Sequence, residues 1–130
     1  MGPDGSTLYQ ATLPAVSYAS TANRYLVVWQ GDDNTAPLTD NNNQIFAQEL
    51  QANGEPTGPN DLRLTGLGPP GGPLKAADNP AAVFGATNGA FLVVFEGNSG
   101  VGEQVAGGAE IYGQLFAPVY EQFIPLVRKD

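Results

Sequence analysis

The chain carries one pattern twice, in register and without a gap, at a spacing of sixty-six residues from Pro14 to Pro80. The first copy reads Pro14-Ala15-Val16-Ser17-Tyr18, then Tyr25-Leu26-Val27-Val28-Trp29-Gln30-Gly31, then Ile45-Phe46-Ala47-Gln48. The second reads Pro80-Ala81-Ala82-Val83-Phe84, then Phe91-Leu92-Val93-Val94-Phe95-Glu96-Gly97, then Ile111-Tyr112-Gly113-Gln114. A fixed period of this size marks one supersecondary unit used twice, and such units bury their faces on one another. The fold must therefore accommodate two equivalent units and a surface on which they meet.

The unit is not helical. Seventeen Gly and 11 Pro among 130 residues disfavour long helices and call for frequent turns. The segments that match between the copies are rich in β-branched and aromatic residues, the composition of strands. In the first copy, Ala15–Ala19, Tyr25–Gln30 and Ile45–Gln51 are expected strands. Asp61–Thr65 is a fourth, more exposed one, because Leu62 and Leu64 alternate with Arg63. Asn53-Gly54 marks a tight turn, since both residues tolerate positive φ. In the second copy, Asn88-Gly89 supplies the first turn, where the first copy uses Ala22-Asn23. Phe91–Glu96 and Ile111–Phe116 follow as strands. Phe123–Val127 is the expected fourth, held to an edge or a bulge by Pro125.

The expected organisation is an N-terminal segment over 1–13, repeat 1 over 14–65, a Gly/Pro linker over 66–79 and repeat 2 over 80–130. Leu8–Leu13 is a candidate edge strand. The linker core, Gly66-Leu67-Gly68-Pro69-Pro70-Gly71-Gly72-Pro73, fits a semi-extended connector and neither helix nor central strand. Leu26-Val27-Val28-Trp29 and Leu92-Val93-Val94-Phe95 are unbroken apolar runs. A strand solvated on one face alternates, so an unbroken run implies cover on both faces. Small four-stranded sheets covered on both sides are what a β-propeller blade requires; a two-sheet sandwich is the alternative reading.

At these residues the chain resembles a tandem β-propeller-type repeat of large bacterial secreted and cell-surface proteins. The pattern is Pro-x-Val, an aromatic followed by Leu-Val-Val-Trp, then Ile-Tyr-Gly-Gln and a turn carrying Gly. Pro14, Val16, Tyr25–Trp29, Ile45–Gln48 and Gly54 carry it in the first copy, and Pro80, Phe91–Phe95 and Ile111–Gln114 in the second. Phe95, where Trp is usual, and Tyr120, where the turn Gly should stand, depart from it. The resemblance implies an all-β fold of two four-stranded antiparallel blades and an extracellular or cell-surface scaffold or adhesion role. It implies no shared catalytic residue. Two blades are fewer than a closed propeller needs and leave large apolar faces to be covered. Homo-oligomerisation follows as the expectation: a head-to-tail contact closes a ring, or builds a filament if the rotation does not close.

Composition narrows the function classes. Thirteen acidic and 5 basic residues give a formal net charge of −8. The basic residues Arg24, Arg63, Lys75, Arg128 and Lys129 form no stripe, which argues against nucleic acid and an anionic membrane surface as partners. No apolar stretch approaches the roughly 18 residues of a spanning helix. Met1-Gly2-Pro3-Asp4-Gly5 has neither the basic nor the apolar region of a secretory signal, so a signal for export would lie outside this chain. The chain holds no cysteine and no histidine. Disulfides, thiolate metal sites and the familiar nucleophilic triad are excluded, and the commonest general base is missing.

Three sets of residues remain as candidates. The loop from Gly31 to Gln44 gathers Asp32, Asp33 and Asp40 with several Asn. Hard oxygen donors of this kind suit calcium, but the same residues also bend and cap solvated turns without an ion. The matching loop from Gly97 to Glu110 lacks most of them. Trp29, Tyr9 and Tyr120 are the aromatics best placed to stack on a sugar, whereas the aromatics that recur in strands belong to a core. Glu96 and Glu110 are the paired carboxylates nearest to an acid–base arrangement, yet Gln30 and Gln44 occupy the equivalent positions, so they read as polar strand ends. Gln48 and Gln114 recur inside apolar strands and are expected to satisfy backbone groups. The expectation is thus a non-catalytic extracellular module that self-associates, with a small glycan-binding oligomeric propeller as the alternative.

Overall fold

The computed structural model describes residue 6 and residues 9–33, 42–65, 76–97 and 108–118. Over these residues the protein is all-β. Seven strands are described: β1 Ala11–Ala19, β2 Arg24–Gly31, β3 Gln44–Gln51, β4 Pro56–Arg63, β5 Ala77–Gly85, β6 Ala90–Gly97 and β7 Glu110–Phe116. They form two antiparallel sheets, ordered β1-β2-β3-β4 and β5-β6-β7. The expected fourth strand of repeat 2, Phe123–Val127, lies outside the described residues, as does the linker core.

The turns follow from the sequence. Asn23 and Gly89, at equivalent positions, both adopt positive φ, 51° and 65°. The Gly89 N–H donates to the Gly85 carbonyl at 2.9 Å, and the Ala22 N–H to the Ala19 carbonyl at 3.2 Å. Between β3 and β4, Gly54 takes φ 88°. Its N–H donates to the Gln51 carbonyl at 2.9 Å, and the Glu55 N–H donates to Asn53 Oδ1 at 3.1 Å. This turn is tight enough that pairing resumes at once, with Leu50 opposite Pro56 and Glu49 opposite Thr57.

Two expected boundaries are corrected. The fourth strand of repeat 1 is Pro56–Arg63, not Asp61–Thr65. Pro56, Gly58 and Pro59 look like strand breakers, but β4 is an edge strand, where Pro loses no ladder bond. The chain also bulges there, with a register shift between Ala47 and Glu49 and positive φ at Gly58 and Asp61. Secondly, the first strand of each sheet begins before Pro14 and Pro80. Ala11 pairs with Gly31 and Thr12 with Gln30 before the register shifts to Ala15 and Val28. Ala77 pairs with Gly97 and Asp78 with Glu96 before the shift to Ala81 and Val94. Each proline sits in a bulge rather than at a strand start, which is why it is tolerated. Residues 11–13 therefore belong to β1, and 77–79 to β5.

The two sheets share one core. Leu26, Val28, Ile45 and Ala47 of the first meet Phe91, Val93 and Phe95 of the second, with Ala19 and Ala77 completing the cluster. β5 lies against β1 and β2 across this joint. The cross-strand aromatic pairs recur: Trp29–Phe46 stack at 6.2 Å and 17°, Phe95–Tyr112 at 5.8 Å and 14°.

Candidate interaction faces

Strand register assigns every side chain of a repeat to one of two faces. In repeat 1, Val16, Tyr18, Tyr25, Val27, Trp29 and Phe46 share the first, since Val16 pairs with Val27, Tyr18 with Tyr25 and Trp29 with Phe46. We term this the aromatic face. Ala15, Ser17, Leu26, Val28, Ile45 and Ala47 share the other, the aliphatic face. In repeat 2 the equivalents are Ala82, Phe84, Phe91, Val93, Phe95 and Tyr112 against Ala81, Val83, Leu92, Val94, Ile111 and Gly113.

The shared core joins unlike faces. The aliphatic face of repeat 1 is buried against the aromatic face of repeat 2. Repeat 2 consequently turns its aliphatic face outward, whereas the aromatic face of repeat 1 is exposed at Val16 and Tyr18 of β1, half-buried along β2 and buried at Phe46 and Gln48 of β3. Leu26 is 0% exposed, whereas its equivalent Leu92 is 38% exposed. Ile45 is 0% exposed and Ile111 73%. Conversely, Phe91 and Val93 are buried while Tyr25 and Val27 are only half-buried, and Val16 and Tyr18 are exposed. The apolar runs were expected to be covered on both faces; here the second strand of each repeat has one covered face. The physical reason is that, among the described residues, each sheet has one sheet to pack on. Val83, Leu92, Ile111 and Leu115 thus form an exposed aliphatic patch on repeat 2, and Val16 and Tyr18, flanked by half-buried Tyr25 and Trp29, an aromatic one on repeat 1.

Polar contacts at the inter-sheet joint fix how the faces meet. The Asn79 N–H, in the β5 bulge at φ 53°, donates to Gln30 Oε1 at 3.1 Å. Asn43 Nδ2 donates to Asp78 Oδ1 at 2.8 Å, and the Ala77 N–H to the Asn43 carbonyl at 2.7 Å. The sequence gives no sign of these contacts, because they join residues distant along the chain and the first depends on a bulge N–H. The only available signal was an Asn at the left-handed position, where Asn is tolerated.

The calcium candidates are placed as follows. Asp32 is buried; one carboxylate oxygen accepts the Gln10 N–H, and the Asp32 N–H donates to the Gln10 carbonyl at 3.1 Å. This reciprocal pair anchors the entry to β1 beside the end of β2. Asp33 is half-buried, and Asp40 lies outside the described residues. Among the described residues no group of three or more acidic side chains converges on a point.

The aromatic candidates are placed as follows. Trp29 is half-buried on the aromatic face, stacked on Phe46. Tyr9 is half-buried before β1, and Tyr120 lies outside the described residues. A shallow cleft of about 370 Å³ opens elsewhere, between the β1–β2 and β3–β4 turns, lined among others by Asn23, Arg24, Gln51 and Asn53. Arg24 also reaches Glu49 Oε2 at 3.5 Å. This cleft was not legible in the sequence, since it needs two turns to be brought side by side. Glu96 and Glu110 are exposed on neighbouring strands, and Glu110 Oε2 accepts the Tyr112 hydroxyl at 3.1 Å.

The two recurrent glutamines have separated. Gln48 Nε2 donates to the Thr57 and Glu49 carbonyls, both at 2.9 Å, and Gln48 Oε1 accepts the Asp61 N–H at 3.3 Å. It closes the β3–β4 bulge as a buried amide should. Gln114 was expected to act likewise but is exposed on β7. No protein family, curated protein or solved structure matches this chain.

Proposed function

We propose that this protein is a non-catalytic structural or adhesive module of the cell exterior that associates with copies of itself through its outward sheet faces, in a propeller-type ring or a filament. The observation that carries this reading is the burial of equivalent residues: Leu26, Val28 and Ile45 are enclosed, while Leu92 and Ile111 face solvent. Leu92 and Ile111 belong to one patch with Val83 and Leu115. Contiguous apolar patches on soluble proteins mark contact surfaces. The extracellular setting rests on the repeat resemblance and on a surface finished with uncharged polar residues, charged residues being 14% of the chain.

Sedimentation velocity of the intact chain over a hundredfold range of concentration tests this reading. A discrete multiple of the chain mass supports a ring and a broad, growing distribution supports a filament. A monomer at every concentration rejects self-association.

A carbohydrate-binding oligomeric propeller is the second reading, favoured by the polar cleft beside Asn23, Arg24 and Asn53. Amide and guanidinium groups are suitable partners for sugar hydroxyls. Glycan-array binding that disappears on Asn53→Ala and Arg24→Ala, with the oligomer unchanged, would favour it over the scaffold.

A further inference from the structure

We infer that self-association, if the proposed reading on which this rests is right, repeats the intramolecular joint: the aliphatic face of repeat 2 receives the aromatic face of repeat 1 from a second copy, with Glu96 taking the bulge N–H of Leu13. The occupant is identified by repeat equivalence. Inside one chain, an aliphatic face of the Leu26–Val28–Ile45 type is already seated on an aromatic face of the Phe91–Val93–Phe95 type. The exposed surfaces belong to the same two faces: Val83, Leu92, Ile111 and Leu115 on repeat 2, and Val16 and Tyr18 at the β1 side of repeat 1. Bringing them together continues an existing interface rather than inventing one.

The differences between the copies point the same way. Ser17 and Glu49 stand on the enclosed aliphatic face, and their equivalents on the outward face are Val83 and Leu115. At these two positions the outward face is the more apolar, the reverse of what solvent contact favours.

The polar part of the joint also has its counterpart. Gln30 Oε1 accepts the Asn79 N–H. The equivalents are Glu96, exposed beside the aliphatic patch, and Leu13, exposed in the β1 bulge at φ 51°. The bulge geometry of Leu13 matches that of Asn79, φ 53°, although leucine is ill-suited to it. By equivalence with Asn79, the Leu13 N–H is the donor that meets a Glu96 carboxylate oxygen when the second copy docks. The contact is heterologous: each copy contributes a different face, so assembly has a direction and each copy keeps one free face until closure.

Complementation of two blocked variants tests this. Ile111→Lys/Leu115→Lys blocks the aliphatic face, and Val16→Lys/Tyr18→Lys blocks the aromatic one. All four positions are exposed, and circular dichroism checks that each variant is folded. Each variant alone is expected to be monomeric, and an equimolar mixture to form a two-chain particle and nothing larger. If either variant dimerises alone, like faces pair and the inference is overturned. If the wild type assembles but the mixture stays monomeric, the inference falls while self-association stands; a monomeric wild type removes both. As a second measurement, Glu96→Ala is expected to weaken association about tenfold, as loss of a charge-assisted hydrogen bond does. Glu96→Gln, which reproduces the side chain of Gln30, should retain most of it. Equal affinity for wild type and Glu96→Ala would refute the role of Glu96.

Discussion

Leu26 and Leu92 occupy the same place in their repeats, pair with equivalent neighbours, and differ in what lies over them. Truncating each to alanine therefore measures mainly the covering sheet, although the cross-strand partners are Ser17 and Glu49 for Leu26 and Val83 and Leu115 for Leu92. Leu26 is completely enclosed. Leu26→Ala removes three carbons from a closed site, and the loss is expected to be about 3 to 4 kcal/mol, transfer and cavity together. Leu92 is 38% exposed, with Cδ1 3.5 Å from a Cβ placed on Gly113. Three carbons at ~0.8 kcal/mol each, scaled to the part removed from water and with no enclosed cavity left behind, give about 1.5 kcal/mol for Leu92→Ala. The gap of ~2 kcal/mol corresponds to about thirtyfold in the folding equilibrium. Urea unfolding followed by tryptophan fluorescence resolves such a gap as a difference in midpoint at constant slope. At the lowest usable concentration the two variants should be separated by the full gap. As concentration rises and a second copy covers Leu92, the cost of Leu92→Ala should grow and the gap should close. Equal losses at high dilution would refute the assignment of faces. A gap that ignores concentration, in a protein known to associate, would place the contact elsewhere.

Three further outcomes follow from the same geometry. Gly31→Ala sets a Cβ 2.8 Å from the Gln10 carbonyl and 3.4 Å from both Trp29 and Phe46; a loss of about 1 to 3 kcal/mol in the unfolding midpoint is expected, since backbone must yield, and an unchanged midpoint would contradict the close approach. Gln48→Ala leaves the Asp61 N–H and Thr57 carbonyl without their amide partner and should cost about 2 kcal/mol, whereas Gln114→Ala at the equivalent exposed position should stay within about 0.5 kcal/mol; similar losses from both would be inconsistent with their different settings. Asp32→Ala should speed amide exchange at Gln10 through Thr12 by roughly tenfold, the worth of one hydrogen bond. Because one Asp32 oxygen is engaged by the Gln10 N–H, the melting temperature of the wild type should be the same in excess calcium and in chelator; a rise with calcium would restore the acidic loop as an ion site.

Much of the fold was legible because its signals are local. The sixty-six-residue period, the β-branched and aromatic runs and the Asn-Gly pairs specify strands and turns from short-range physics alone. The β4 boundary was not legible, because Pro56 and Pro59 are compatible with a strand only at a sheet edge, and edges are assigned by topology. The bulges at Leu13 and Asn79 were hidden for a similar reason: positive φ at a non-glycine residue is sustained by its surroundings. The Asp32–Gln10 clamp and the Gln30–Asn79 contact join residues that are distant along the chain, and no spacing rule foretells them.

By itself, then, the sequence settled that two like β-units exist and that each has apolar side chains on both sides. It left undecided which side each unit would bury. In Leu26-Val27-Val28-Trp29 and Leu92-Val93-Val94-Phe95, consecutive residues point to opposite faces and all are apolar, so no polar alternation marks an outside. Only the packing of one sheet on the other made that choice, enclosing Leu26 and Phe91 and leaving Leu92 and Tyr18 at the surface. Burial belongs to a pair of surfaces, and a strand carries the information for only one of them.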